Sequence, residues 1–366
     1  MRVCLVSPEI FHWGIHGGFG YLTWILGMKM AEKGINVTVV TQRRKGQEEI
    51  EELDGFKVYG YPSHSPGLSS ISARCEAVRY YRKADADIYH SQAISYNSYI
   101  AQSSCPDRKH VVTFQDPYDR REWSKIAQVD PRYTGLMHNI RVEAEIRFLA
   151  RTCQRMDVLY TQAHFLVPKA MKLFKLKTHP KYLPNPVPIP DNPTEKAEVP
   201  TVCFLARWDP QKRVELFFEL ARKYPNINFI AMGKSHDSEK DNRLRKKYDV
   251  IPNLRLTGFV SEKEKQEILG RSWALVNTSI REALPVSFLE ALANKTPLIS
   301  GENPDCLVSE YGYHVKDMDY ESDIEWLLNS DTWRIKGEKG RSHMEDVYEA
   351  DKVVDRHLVE YRKLLE

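Results

Sequence analysis

Two glutamates, Glu282 and Glu290, have types and spacing that suit the binding of hydroxyl groups, and both lie within Arg271 to Ser300. Glu282 lies in a loop predicted to follow a buried strand, the place where ligands bind in open α/β sheets. Glu290 lies inside a helix predicted from Pro285 to Asn294. The unpaired N–H groups and positive dipole end of that helix, over Leu284 to Ser287, suit a phosphate. One short segment could therefore bind a sugar, a pyrophosphate and a ribose, the three parts of a nucleotide-sugar.

The elements that must position these glutamates form one βαβ unit. Trp273 to Thr278 and Pro297 to Ser300 are short apolar runs with β-branched residues, which is typical of buried strands. With the helix between them they predict a parallel sheet. The alternative is a helix with two surface glutamates, and spacing alone leaves both interpretations open.

A pair of cations follows another predicted strand, Thr201 to Ala206. Arg207 and Lys212 lie in the turn between this strand and the next predicted helix. Arginine can bind a pyrophosphate as a planar fork and lysine can bind it as a point charge. The alternative is a solvated basic turn, which the spacing leaves equally open.

A glycine-rich loop lies near the N-terminus, between a predicted strand, Arg2 to Ser7, and a predicted helix, Tyr21 to Lys33. Glycines let the backbone approach a ligand closely just before a helix N-terminus. The pattern is not G-x-G-x-x-G, because Thr23 stands at the third glycine position, so a dinucleotide site is weakly supported. An ordinary glycine turn is the alternative. The glycines of this loop are Gly14, Gly17, Gly18 and Gly20.

The order of strand, loop, Glu282, helix, Glu290 and strand resembles the E-x7-E signature of the retaining glycosyltransferases of family 4, which have the GT-B fold. The resemblance implies that Glu282 contacts the hydroxyls of the donor sugar and that Glu290 binds the ribose. It also implies that Arg207 and Lys212 stabilise the leaving nucleoside diphosphate, which removes the need for a bound metal.

The same resemblance predicts further donor contacts. The family packs its glycine loop over the donor phosphates and binds the base or diphosphate at loops that follow two strands of the second domain. The family also contacts the donor through the N-terminal turn of the helix that carries the second glutamate. The matching positions of this chain are Gly17, Gly18, Gly233, Lys234, Phe259, Val260, Ala283, Leu284, Pro285 and Val286. The family usually has Gly near Leu284 and Pro285, so we expect a stiffer loop here.

The predicted acceptor side departs from the family at one position. Gln115 stands where the family often has a His near the anomeric carbon. Its amide does not titrate usefully, so it cannot act as a general base, but it can form a hydrogen bond. Asp116 could take a proton from an acceptor hydroxyl, or it could be a turn residue. His90, at the end of a predicted strand, is either a packed histidine or an acceptor contact.

No metal site is predicted. Asp85 and Asp87 form a D-x-D pair, the metal pair of the other main glycosyltransferase fold, but they lie at a predicted helix-to-strand corner and are interpreted as a solvated turn. The six cysteines are scattered without a C-x-x-C pair, which predicts buried thiols rather than a zinc site.

The length of 366 residues predicts two domains. With the resemblance, the expected fold class is α/β of the GT-B type, with two Rossmann-like domains facing a deep cleft. The expected boundaries are 1–186 for the acceptor-side domain, 187–345 for the nucleotide-sugar domain, and 346–366 for a helix that crosses back to the first domain. The proline-rich stretch Pro184 to Pro200 predicts an extended interdomain linker.

The charge distribution suggests an anionic surface as a partner. Residues 1–190 carry 26 Lys and Arg against 18 Asp and Glu, and Val158 to Pro190 has five lysines and no acid. A solvated basic face is the commoner outcome; contact with anionic lipid headgroups is the functional interpretation. No apolar run is long enough to span a bilayer, and the N-terminus does not resemble a signal peptide, which predicts a cytoplasmic protein. The lysines add the hypothesis of peripheral binding at the inner membrane face.

With the family resemblance, these patterns imply a retaining hexosyltransferase that moves a sugar from a nucleoside-diphosphate sugar to an acceptor hydroxyl. The expected role is glycolipid or cell-surface polysaccharide synthesis with a lipid-linked acceptor, without a cofactor and without nucleic acid. Two alternatives stay open. One is a nucleotide-sugar epimerase or a phosphorylase of the same fold, and the other is a non-catalytic sugar-nucleotide-binding protein, suggested by Gln115.

Overall fold

A computed structural model describes residues 1–11, 17–44, 46–62, 69–317, 319–329 and 331–366 of the chain. The strands are β1 (Arg2–Val6), β2 (Asn36–Gln42), β3 (Ile50–Leu53), β4 (Phe56–Tyr61), β5 (Ile88–Ser91), β6 (Lys109–Phe114), β7 (Val158–Thr161), β8 (Lys181–Tyr182), β9 (Thr201–Leu205), β10 (Asn228–Met232), β11 (Leu254–Gly258), β12 (Ala274–Asn277), β13 (Leu298–Ser300) and β14 (Gly312–His314). The helices are α1 (Gly18–Glu32), α2 (Ser69–Ala84), α3 (Tyr96–Ser104), α4 (Arg120–Ala127), α5 (Leu136–Cys153), α6 (Leu166–Phe174), α7 (Val214–Lys223), α8 (Ser238–Tyr248), α9 (Glu262–Arg271), α10 (Val286–Ala293), α11 (Leu307–Tyr311), α12 (Tyr320–Asn329), α13 (Thr332–His343) and α14 (Ala350–Leu365).

The first sheet has the order β3-β4-β2-β1-β5-β6-β7-β8 and is parallel except for the β3–β4 pair. Its central strand β1 is buried on both faces. Val3 and Leu5 belong to a core that includes residues of α1 and α14, while Cys4 and Val6 belong to a core that includes residues of α2 and α3. Because successive side chains of a strand point to opposite faces, helices cover both sides of this sheet.

The second sheet is fully parallel, in the order β11-β10-β9-β12-β13-β14. Its two central strands, β9 and β12, are hydrogen-bonded to each other in the register Ala274↔Val202 and Leu275↔Cys203. From β9 the chain adds β10 and β11 on one side of the sheet, and from β12 it adds β13 and β14 on the other side. The strand order therefore reverses between β9 and β12, and the loops that follow these two strands lie at the same edge. In open α/β sheets that edge, at such a switch point, is where ligands bind. The predicted α/β class with two Rossmann-like units is confirmed.

The chain divides into two compact units. The first comprises Met1–Asp119, Gly135–Pro186 and Ala350–Glu366, and the second comprises Arg120–Thr134 and Val187–Glu349. The segment Arg120–Thr134 therefore departs from the expected boundary at residue 186. The reason lies in its contacts, since Glu122 and Lys125 of α4 form ion pairs with Arg281 and Glu302 of the second unit.

The proline-rich stretch is not a free linker. From Val187 onward it lies on the second unit, where the Lys196 ammonium donates to the carbonyls of Ser272 and Asn294 and to the Thr296 hydroxyl at 2.7–3.1 Å. The Ala197 carbonyl accepts a hydrogen bond from the Trp273 indole at 2.7 Å. Composition predicts an extended backbone here, but it does not reveal these anchoring contacts.

The C-terminal helix α14 belongs to the core of the first unit. Val354, Leu358 and Tyr361 are buried there with residues of β1 and α1. His90 is fully buried under this helix, with Nδ1 hydrogen-bonded to the Tyr361 hydroxyl and Nε2 to the Thr113 hydroxyl, 2.8 Å away. The structure thus corrects the expected acceptor contact of His90: the residue is a packed core histidine, because α14 covers the end of β5.

His90 lies beside a second buried histidine, His357, with 5.8 Å between the ring centroids. Burial lowers the pKa of His357 to about 4, and burial together with His357 lowers the pKa of His90 well below its usual value. Both side chains are therefore neutral in the folded protein at pH values where unfolded histidines are protonated. The unfolded chain binds more protons below about pH 6.5, so stability falls as pH decreases from there toward 4.

We predict that replacing His357 with Phe reduces the loss of stability at acid pH. His357 alone should account for about 2 kcal/mol of the decrease in unfolding free energy between pH 7 and pH 5. Urea denaturation at both pH values measures the difference, with His179→Phe at an exposed histidine as the control. An equal acid loss in the two variants would contradict the prediction.

Candidate functional site

The Glu282 carboxylate lies at the carboxyl edge of the second sheet and is held by three donors. Its Oε1 accepts hydrogen bonds from Lys212 Nζ at 2.6 Å, Ser279 Oγ at 2.6 Å and Asn277 Nδ2 at 3.0 Å. Among the described residues none donates a hydrogen bond to Oε2. Burial raises the pKa of Glu282, but the Lys212 charge and the three hydrogen bonds outweigh burial and leave the pKa below its usual value. Glu282 is therefore a fixed carboxylate with one oxygen left for a ligand.

The loops that carry Lys212 and Glu282 are tied together through their backbones. The Thr278 hydroxyl donates to the carbonyls of Lys212 and Arg213 at 2.7 and 3.0 Å. In return, Arg213 Nε donates to the Thr278 carbonyl at 2.8 Å, and the Ile280 N–H donates to the Gln211 carbonyl at 2.9 Å. Lys212 ends a short 3-10 turn and Arg213 has a φ of 47°, a strained backbone that these contacts hold in place.

Arg207 is placed differently from Lys212. It directly follows the residue after β9, and 43% of its side chain is exposed. Its Nε lies 3.3 Å from Asp209 Oδ2. The predicted cation pair is thus one largely buried lysine that pairs with Glu282 and one exposed arginine that pairs with Asp209.

The loops after β10 and β11 meet at Gly233. Its N–H donates to the Gly258 carbonyl at 2.8 Å, and its φ is 117°. A Cβ at this position would lie 2.0 Å from the Ala206 carbonyl oxygen, so only glycine fits. The backbone N–H of Trp208 donates a hydrogen bond to the Lys234 carbonyl at 3.0 Å, which joins this loop to the loop after β9. Of the two predicted base contacts that follow, Phe259 is 64% exposed and Val260 is half-buried.

The start of α10 presents fewer accessible backbone N–H groups than expected. Pro285 has an extended backbone and caps the helix, so the first helical residue is Val286 rather than the proline. Ala283 and Leu284 are buried. Proline lacks an N–H, so the donors at this end come from the residues around it.

Glu290, the second glutamate of the spacing motif, is buried at 4% exposure. Its Oε1 lies 2.6 Å from the Lys265 ammonium of α9, and Lys265 also donates to Glu262 at 2.8 Å. Burial lowers the pKa of Lys265, but the two glutamates raise it by more, so the lysine remains charged. Lys265 was not recognised in the sequence, because a lysine on a polar helix gives no local signal of a partner on another helix.

Gln115 forms hydrogen bonds with other residues of the first unit. Its amide exchanges two hydrogen bonds with the Asn185 amide, at 2.9 and 2.8 Å, and its carbonyl accepts from the Gln162 amide at 2.6 Å. Gln115 is buried and its side-chain amide pairs with Asn185, and its hydrogen bond to a sugar or an acceptor stays a prediction. Asp116, the next residue, is half-buried.

The N-terminus of α1 is occupied by a side chain of the same chain. The Glu9 carboxylate accepts hydrogen bonds from the N–H groups of Gly17 at 2.7 Å and Gly20 at 3.0 Å. Gly17 caps the helix and Gly18 is its first residue, while Gly14 lies outside the described residues. A carboxylate at these N–H groups shows that this helix end suits an anion, and that a phosphate there would have to displace Glu9.

The D-x-D pair is engaged by cations. Asp85 pairs with Arg2 and Arg108, and Asp87 Oδ1 lies 3.0 Å from Arg2. Across the part of the chain that the structure describes, no three or more His, Cys, Asp and Glu side chains cluster in a way that could hold a metal ion. All six cysteines are free, and Cys75 and Cys306 are exposed, so the expectation of buried thiols is wrong for those two.

Comparison with known proteins agrees with the geometry of both units. The family model of glycosyl transferases group 1 matches residues 189–331, and that of glycosyltransferase family 4 matches residues 16–189. The chain belongs to the GT-B glycosyltransferases of group 1. It is 21% identical over 312 residues to one of the subunits of human phosphatidylinositol N-acetylglucosaminyltransferase. The match covers 82% of this chain but only 61% of the human protein, less than two thirds of its length.

Solved structures of this fold match nearly the whole glycosyltransferase chain. Sucrose-phosphate synthase from Thermosynechococcus elongatus has a TM-score of 0.78 at 15% identity and covers 99% of this chain and 98% of its own. The Anabaena protein Alr3699/HepE, in complex with UDP and glucose, has a TM-score of 0.72 at 10% identity, with coverage of 98% and 99%. At these identities the likeness shows the fold alone. Of the helices described in this glycosyltransferase, none combines the length and the apolar character that a membrane span needs.

We predict that Gly233→Ala destabilises the second unit by more than backbone strain alone. Strain at a positive φ costs about 1–3 kcal/mol, and the contact with the Ala206 carbonyl adds to it. Gly34→Ala is the matched control, since Gly34 has a φ of 78° with no atom near the added Cβ. Urea denaturation measures the unfolding free energy of both variants. Equal decreases would show that the Ala206 carbonyl does not clash with a Cβ at position 233.

Proposed function

We propose that this glycosyltransferase moves a hexosyl group from a nucleoside-diphosphate sugar to an acceptor hydroxyl, with retention of the anomeric configuration. The observation that carries the proposal is the Glu282 carboxylate, fixed through Oε1 by Lys212 at 2.6 Å, with Arg207 exposed in the same loop after β9. A carboxylate with one remaining acceptor oxygen suits a sugar hydroxyl, and two cations in one loop suit a diphosphate. The match to the E-x7-E signature supports the retaining assignment.

In the proposed reaction, the bond between the anomeric carbon and the diphosphate oxygen breaks while the acceptor oxygen bonds to the same face of that carbon. The acceptor proton passes to the leaving phosphate oxygen. Glu282, held ionised by Lys212, accepts hydrogen bonds from the donor sugar and favours the positive charge that develops on the sugar ring. Lys212 and Arg207 balance the charge of the departing diphosphate.

No metal is required in this proposal. Two cations and the N-terminal N–H groups of α10 can supply the charge stabilisation that a divalent ion supplies elsewhere. Activity in excess chelator is the corresponding expectation.

We propose a lipid-linked acceptor at an anionic membrane surface, on the cytoplasmic side. The name of the human relative includes phosphatidylinositol, an anionic lipid. Lys172, Lys175 and Lys177 are exposed at and after α6, which suits anionic headgroups. Leu166 and Phe174, in the same helix, are buried in the first unit, so they do not face a bilayer. The proposed attraction is therefore electrostatic.

The test is transfer activity of wild type and Glu282→Gln. UDP-, GDP- and ADP-sugars are supplied with acceptors that are either soluble or carried in phosphatidylinositol liposomes, in excess chelator. Glu282→Gln should lower turnover by about 100-fold or more, since it removes the charge that stabilises the transition state. Glu264→Gln, at an exposed carboxylate of the same unit, is the control.

The outcomes separate the alternatives. Release of nucleoside diphosphate without any acceptor would indicate an epimerase or hydrolase, and wild-type turnover in Glu282→Gln would remove this residue from the reaction. Inverted configuration in the product would contradict retention. Equal activity with liposomal and soluble acceptors would contradict the lipid-linked acceptor.

A further inference from the structure

Helix α4 contacts the residue next to Glu282 through a buried ion pair. Arg281 is 2% exposed, and its Nε lies 2.9 Å from Oε1 of Glu122. The side chains of the pair are 3% and 13% exposed. Ions buried to this degree have lost most of their hydration, so breaking such a pair by removing one partner is strongly destabilising. The pair is therefore a strong connection between α4 and the loop that carries Glu282.

A second connection reaches the backbone of Glu282 itself. Burial raises the pKa of the Glu302 carboxylate, and the Lys125 charge and the nearby backbone N–H of Glu282 act against this rise. The Oε1 of Glu302 lies 3.6 Å from Lys125 Nζ. Glu122 and Lys125 are three residues apart on α4 and hence on the same face of the helix. One face of α4 thus contacts the Arg281–Glu282 peptide twice, once through the Arg281 side chain and once through Glu302.

These contacts complement those on the Glu282 carboxylate. Lys212, Ser279 and Asn277 fix Oε1, whereas the α4 contacts fix the main chain from which that side chain extends. The Glu282 loop is short, since β12 ends at Asn277 and α10 begins at Val286. A change in the main chain at Arg281 is therefore transmitted directly to the carboxylate.

We propose that Arg281 and Glu122 are positioning residues for the transferase reaction, and that α4 acts as a support for the Glu282 loop. The inference rests on the proposed function of Glu282, because it assigns these two residues to the same reaction. A displacement of about 1 Å at a reacting group can cost about 100-fold in rate. Loss of the pair should therefore lower kcat, while the donor KM, which depends on Lys212 and Arg207, changes little.

The first experiment compares Glu122→Gln with Glu264→Gln. Glu264 pairs with Arg255 in the same unit at the same separation, 2.9 Å, but the side chains are 61% and 41% exposed for Arg255 and Glu264. We expect Glu122→Gln to lower kcat by about 10- to 100-fold with donor KM within about twofold of wild type. Glu122→Asp, which keeps the carboxylate, should recover part of kcat. Glu264→Gln should leave kcat and KM unchanged.

Hydrogen exchange at the backbone amide of Glu282 measures how firmly α4 holds the loop, independently of transferase activity. Glu122→Gln should speed this exchange by about tenfold over wild type, while amides of β9 stay protected. If wild type transfers no sugar, the proposed function fails, and the exchange rates still decide whether α4 holds the loop. Unchanged kcat and unchanged exchange in folded Glu122→Gln would overturn the inference, as would a lower melting temperature with wild-type kcat.

A second variant covers the case in which Glu122→Gln does not fold. The double change Arg281→Met with Glu122→Met removes both charges at similar volume, a replacement that buried ion pairs often tolerate. The folded double variant should show the same lower kcat, because methionines do not fix the direction of the loop as a charged hydrogen bond does. Wild-type kcat in this variant would show that the ion pair serves packing alone.

Discussion

The ion pair between Lys212 and Glu282 is the interaction on which the rest of the second unit's site depends. Its side chains are 14% and 7% exposed, so both charges are largely removed from water. Desolvation of this kind is offset only by good geometry and further hydrogen bonds, which Ser279 and Asn277 supply. Because Lys212 follows β9 and Glu282 follows β12, the pair also fixes the two central loops of the sheet to each other. The strained turn at Arg213 persists because Thr278 holds it from the opposite loop.

The central part of this arrangement could be predicted from the sequence. The apolar runs around Glu282 predicted β12 and β13, and the end signals Pro285 and Asn294 predicted α10 to within a residue at each end. The turn after β9 was recognised from Arg207 and Lys212. Each of these features is local, since a strand that ends in a polar loop before a helix is encoded within about twenty residues.

The partners of these residues were not predictable, because they lie far away in the sequence. Lys265 at Glu290, Glu9 at Gly17 and Asn185 at Gln115 are ordinary polar residues in their own segments. The membership of α4 in the second unit is the largest difference. It depends on two ion pairs across more than 150 residues of sequence, and no periodicity reports them. These distant contacts decide which polar groups remain for a ligand, so they change the predicted site more than the predicted fold.

Titration calorimetry with UDP, GDP and ADP tests the role of the Lys212–Glu282 pair most directly. The protein for this measurement is the double variant Lys212→Met with Glu282→Gln, which leaves no buried charge unpaired. Lys240→Met, at a lysine on α8, serves as the control. The account predicts that wild type and control bind at least one diphosphate, and that the double variant binds it about 10- to 100-fold more weakly, the loss expected for a charge-assisted hydrogen bond. Equal affinity in all three proteins would contradict it and place the diphosphate elsewhere.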